Sequence, residues 1–137
     1  MNSLGITNTP IAIAQDENLT LEQQRLLTLI TAKPIAFHRP FLYLGLNASE
    51  GLFLSQACYL SENRATIDCD GWFHKTMEEW KEEIGIGRKP QESARKKLRE
   101  LGILEEKKQG IPAKLFFRVN HDVLHKLLLE VVKTNEY

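Results

Sequence analysis

The residues of this chain that are best suited to chemistry lie between positions 85 and 118, where ten Lys/Arg stand against four Asp/Glu. Ammonium and guanidinium groups at that density neutralise phosphates with release of counterions, and an arginine can read guanine through two parallel hydrogen bonds. The flanks offset this charge: residues 1–84 carry 6 basic against 11 acidic groups and residues 119–137 carry 2 against 3. The formal net charge of zero over 137 residues therefore conceals a separation along the chain. A neutral total still excludes a uniformly basic coat or a long acidic tail.

At 100° per residue, Arg88, Lys89, Glu92, Lys96 and Arg99 project to one side of a helix, with Arg95 at the edge and Ser93 in the same candidate interface. Ala94, Leu98 and Leu101 form a narrow apolar stripe opposite, which anchors the helix and leaves a wide basic face free. Lys107, Lys108, Gln109 and Lys114 surround a Gly/Pro tip suited to lie along a backbone or reach into a minor groove. Lys75, with the N–H groups that follow Thr76, is placed to hold a phosphate at a helix start. Two features weigh against this interface. Glu105 and Glu106 lower the charge of the hairpin, and Arg95 and Lys96 could pair locally with Glu92 and Glu100 on a merely solvated face.

Other chemistries lack candidates. Cys58 and Cys69 are eleven positions apart with no CxxC pair, and Cys58 reads as a buried free thiol in an apolar helix. His38, His74, His121 and His125 are dispersed; His121 and His125 are four apart but lack a third ligand, so no metal or other cofactor is expected. There is no nucleophile elbow, phosphate-cradling glycine loop or acid/base pair, so the expectation is a non-enzyme without catalytic residues. Trp72, Phe73 and Trp80 could stack single-stranded bases, but their spacing around a capped helix favours core packing. Phe117 alternates inward with Leu115 and Val119, which leaves Phe116 to cover a neighbouring element or a partner.

These residues need elements to position them. Residues 1–18 read as a flexible tail, and residues 19–137 as the folded domain. Thr20-Leu-Glu-Gln23 opens a helix from Leu21 to Thr31. Pro34 and Pro40 bracket an extended piece, and Phe41 to Leu46 form a turn or two of helix. Asn47 caps a central helix over Ala48 to Glu62, and Asp68 to Gly71 turn the chain into a short strand at Trp72-Phe73. Thr76-Met-Glu-Glu79 opens a helix that Gly85 stops; after Gly85-Ile-Gly87 a second helix runs from Arg88 to Leu101. A hairpin of Ile103 to Lys108 and Leu115 to Asn120 follows, then a helix through Lys133. Two helices joined by a tight turn, the second basic, followed at once by a hairpin, describe a winged helix-turn-helix. The fold class expected is α+β, mostly α, with extra N-terminal and C-terminal helices.

Asp70-Gly-Trp-Phe-His-Lys-Thr76, Glu79-Trp80, Glu83-Ile-Gly85, Ala94-Arg-Lys-Lys-Leu98, Leu101-Gly-Ile-Leu104 and Gly110-Ile-Pro112 with Phe116-Phe-Arg-Val-Asn120, preceded by Leu54-Ser-Gln56 and Tyr59, resemble the winged helix-turn-helix domains of phage and plasmid replication proteins of the replisome-organiser or initiator type. The likeness spans roughly residues 34–125. It implies that Arg88 to Arg99 enter double-stranded DNA and that Lys107 to Lys114 form the wing. Gly87 departs from the serine cap frequent in such domains, and the chain ends soon after its last helix, where a full initiator carries a further region. The function expected is non-enzymatic duplex binding in phage- or plasmid-related replication initiation or transcriptional regulation. The alternative is a protein-interaction module on the same scaffold. No secretory signal or bilayer-spanning stretch is read, so the expected location is the cytoplasm, with the nucleoid. The apolar residues Val123 to Val132 exceed what one packed face requires, and predict a homodimer through the last helix, residues 121–133.

Overall fold

The structure, a computed structural model, describes residues 18–134. The tail expected over residues 1–18 thus lies, except for its last residue, outside the described residues. The chain divides into two units, one ending at Pro34 and the other beginning at Ile35.

The first unit contributes α1 (Leu21–Ile30), opened by a capping box in which the Thr20 hydroxyl accepts from Gln23 N–H and the Gln23 side chain accepts from Thr20 N–H. None of its residues is buried.

The second unit is α+β and mostly helical. A 3-10 helix (Arg39–Leu44) precedes α2 (Ala48–Glu62), two residues earlier than the turn or two of helix expected at Phe41 to Leu46. Asn47 caps α2 by accepting from Glu50 N–H at 2.8 Å. Apolar residues ring α2, and Phe53, Leu54 and Ala57 are completely buried, which makes it the centre of the core. Cys58 is buried there as well, and burial first, then the nearby Glu62 charge, pushes its thiol up to about 12.

Beyond α2, the Asp68 carboxylate accepts from the N–H groups of Asp70 (2.8 Å) and Trp72 (3.0 Å), and Gly71 sits at φ +85°, where a side chain would be strained. This turn aims the chain into β1 (Phe73–His74), one residue later than expected. Then come α3 (Met77–Ile84), α4 (Arg88–Glu100), β2 (Leu104–Gln109), β3 (Lys114–Val119) and α5 (His121–Thr134). The strands form one antiparallel sheet in the order β1-β3-β2, so the strand between α2 and α3 becomes an edge of the hairpin. Phe73 pairs with Phe117 and His74 with Phe116.

The sheet's inner face closes the core. Phe73 and Phe117 stack with ring centres 5.7 Å apart, and Trp80 from α3 stacks on Phe53 at 4.1 Å. Phe117, Phe73 and Trp80 are all about 1% exposed. Trp72 is the exception among the aromatic residues expected inside: it is half-buried, on the other side of the sheet. The hairpin is closed at its base by Asn120 N–H donating to the Ile103 carbonyl at 2.7 Å.

Candidate nucleic-acid interface

Three devices fix α4. Gly85 ends α3 in the left-handed conformation (φ +73°) with its N–H donating to the Lys81 carbonyl at 2.8 Å, the tight stop between two helices. Ala94 and Leu98 are completely buried, and α4 packs against α2 through them. Gln91, also buried, donates through Nε2 to the carbonyls of Ile86 (2.7 Å) and Met77 (3.0 Å) and so ties the start of α4 to the turn and to α3. Gln91 was not singled out in the sequence, although it lies three residues before Ala94 and seven before Leu98, on the same stripe. Gly87 makes no side-chain cap, as its lack of a side chain requires.

The opposite side of α4 is open. Arg88, Lys89, Glu92, Ser93, Lys96 and Arg99 are exposed, and Arg95 is half-buried at the edge, as the helical projection predicts. None of the expected local pairs of Arg95 or Lys96 with Glu92 or Glu100 is among the ion pairs of the described residues; Arg88 Nε instead reaches Glu92 at 3.3 Å, with both groups well exposed. Arg95 turns to the hairpin. Its Nε and Nη2 donate to the two oxygens of Glu106 at 2.8 and 2.9 Å, its guanidinium lies 5.7 Å from the Phe117 ring centre, and Arg99 reaches Glu106 at 3.1 Å. Burial acts to raise the Glu106 carboxyl, but Arg95 and Arg99 together hold it below its ordinary value. The bidentate hydrogen bond with Glu106 raises the Arg95 guanidinium in turn. Glu106 is therefore the link between α4 and the hairpin rather than a diffuse reduction of wing charge.

The remaining candidates separate. Lys108, Gln109 and Lys114 are exposed at the hairpin end, with Gln109 opposite Lys114. A cleft of about 330 Å³ is lined by Lys75, Thr76, Gln91, Arg95 and Lys114 among others, and so brings the start of α3, the flank of α4 and the start of β3 together. Within it Lys75 is committed to Glu83, whose other oxygen accepts from Gln56 at 2.9 Å. The N–H groups proposed to receive a phosphate after Thr76 are partly satisfied: Thr76 Oγ1 accepts from Glu79 N–H at 3.1 Å and Glu79 accepts from Thr76 N–H at 2.9 Å. Lys75 and Thr76 thus have partners within the protein, an ion pair and a capping box. Lys107 stands on the outer sheet face, its Nζ 4.4 Å from the Trp72 ring centre.

Among the described residues, no group of three or more His, Cys, Asp or Glu is arranged to hold a metal, and no helix is long and apolar enough to cross a membrane. No protein-family model, curated protein or solved structure matches this chain.

Proposed function

We propose that residues 35–134 form a winged helix-turn-helix that binds double-stranded DNA without enzymatic activity, with α4 as the recognition helix and β2–β3 as the wing. The observation that carries this reading is the exposed cationic face of a helix held from behind by Gln91, Ala94 and Leu98 and braced to a hairpin by Glu106. The edge strand between α2 and α3 and the Gly85–Gly87 turn support it, since a wing needs the first and a helix-turn-helix the second. Lys89 and Lys96 make no ion pair among the described residues and are free to neutralise phosphates. The resemblance to phage and plasmid replication proteins points to replication initiation or transcriptional regulation in that setting, in the cytoplasm.

Fluorescence anisotropy of a labelled random duplex, titrated at several salt concentrations, tests the reading. Affinity falls steeply with salt, and Lys89→Ala with Lys96→Ala lowers the log–log slope by about 2, close to one per lost phosphate contact. Absence of binding at low salt overturns it in favour of a protein-docking module. One observation favours a partner surface in addition: Leu129 and Val132 on α5 are about half exposed. We infer that α5 pairs with a second copy of the chain, doubling the DNA contact.

A further inference from the structure

The outer face of the sheet holds a second set of groups that the α4 interface leaves unused. His74, Phe116 and Lys107 stand opposite one another across β1, β3 and β2, and the His74 and Phe116 rings are 5.4 Å apart. Trp72 lies beside this row, with the Arg118 guanidinium and the Lys107 ammonium each 4.4 Å from its ring centre; Lys107 is also 5.9 Å from the Phe116 ring.

The two cations differ in how firmly they are held. Arg118 donates to Glu105 at 2.7 Å and to the Asp70 carbonyl at 3.1 Å, so it fixes the indole against the sheet. Lys107 makes no salt bridge among the described residues. The ring area that Lys107 covers is thus guarded by a cation that makes no salt bridge among the described residues, between two half-buried aromatic rings.

We propose that this face binds a single strand of nucleic acid, with unpaired bases stacking on Trp72 and Phe116 while Lys107 swings from the rings to a phosphate. Aromatic rings accept any base, and a cation released from them gains a charged partner instead of a π face. Duplex DNA buries its bases and cannot use these rings, so the ligand class differs from that proposed for α4. The site does not depend on the α4 reading, because it lies on the opposite face of the sheet.

The chain has two tryptophans, and Trp80 is 1% exposed in the core, so quenching of the intrinsic fluorescence by a contacting base reports on Trp72. The intact protein is titrated at low salt with a fifteen-nucleotide oligo-dT and with oligo-rU of the same length. Saturable quenching is expected, and the strand that quenches identifies DNA or RNA as the source. With labelled oligonucleotide and anisotropy readout, Phe116→Ala and Trp72→Ala each weaken binding roughly tenfold while Trp72→Phe, which keeps a ring, retains most of it. Melting by circular dichroism checks that each variant is folded. No quenching by either strand, or folded alanine variants that bind as tightly as the wild type, overturns the proposal. Loss of duplex binding alone overturns the α4 reading and leaves this site standing.

Discussion

Glu106→Ala should destabilise the protein while strengthening its hold on duplex DNA at low salt. The Glu106 side chain is 11% exposed and accepts two hydrogen bonds from Arg95, itself 22% exposed, and contacts the more exposed Arg99. An exposed ion pair contributes about 0–1 kcal/mol, whereas removing one partner of a fully buried pair costs about 3–5 kcal/mol. This pair lies between those limits, since Arg95 keeps some access to water, and a loss of about 2 kcal/mol follows. For a chain of this size that corresponds to a fall of about 8 °C in Tm, read by circular dichroism. The same change removes one negative charge and frees two guanidinium groups of α4, those of Arg95 and Arg99. Duplex affinity at low salt rises, and the log–log salt slope steepens by about 0.9 for each arginine that reaches a phosphate. A variant with unchanged Tm would refute the argument from burial, and a folded variant with weaker duplex binding would refute the argument from charge.

Leu98→Ala, at a completely buried position under α4, is expected to cost about 3 kcal/mol, seen as a lower urea midpoint at unchanged m-value. Acid should weaken the link between α4 and the wing. The folded-state Glu106 carboxyl lies below its ordinary value of 4.5, so its stabilisation is fully present above that pH and is lost as pH falls below it; Glu106→Gln should flatten this acid limb in melts over pH 3–6, the low end included by choice of buffer. Light scattering at high micromolar concentration should give a dimer that Leu129→Arg converts to a monomer, and a wild-type monomer would remove the α5 pairing.

The elements could be read from the sequence because their ends are local. Thr20 and Thr76 form the capping boxes that their three-residue spacing to Gln23 and Glu79 predicts, Asn47 caps α2 as expected and closes a box with Glu50 besides, and Gly85 stops α3 as expected. The site was harder, because the partners of its charges come from other elements. Arg95 and Glu106 are eleven positions apart on a helix and a strand, and no helical spacing rule relates them. Gln91 is polar by type but apolar by position, so a stripe counted only from Ala94, Leu98 and Leu101 passes over it. Trp72 was misplaced for a different reason. Adjacent residues on an extended chain face opposite ways, and the reasoning that separates Phe116 from Phe117 also separates Trp72 from the buried Phe73.

The charge separation in the chain also resolves by residue type. Between residues 85 and 118 all four arginines, Arg88, Arg95, Arg99 and Arg118, make ion pairs with Glu92, Glu105 or Glu106. The six lysines of that segment, from Lys89 to Lys114, make none among the described residues. Guanidinium groups suit this inward work, because their planar donors match a carboxylate in two places and tolerate burial. Ammonium groups are left for the outside, where under the proposed duplex reading they would hold phosphates as point charges without reading a base. Of the arginines, Arg88 is the one whose pair is most exposed, and a surface pair is cheap to exchange for a guanine edge. Under the duplex reading proposed above, an α4 interface would draw its affinity from lysines and its sequence discrimination chiefly from Arg88 at the start of the helix, the end that a recognition helix presents to the bases.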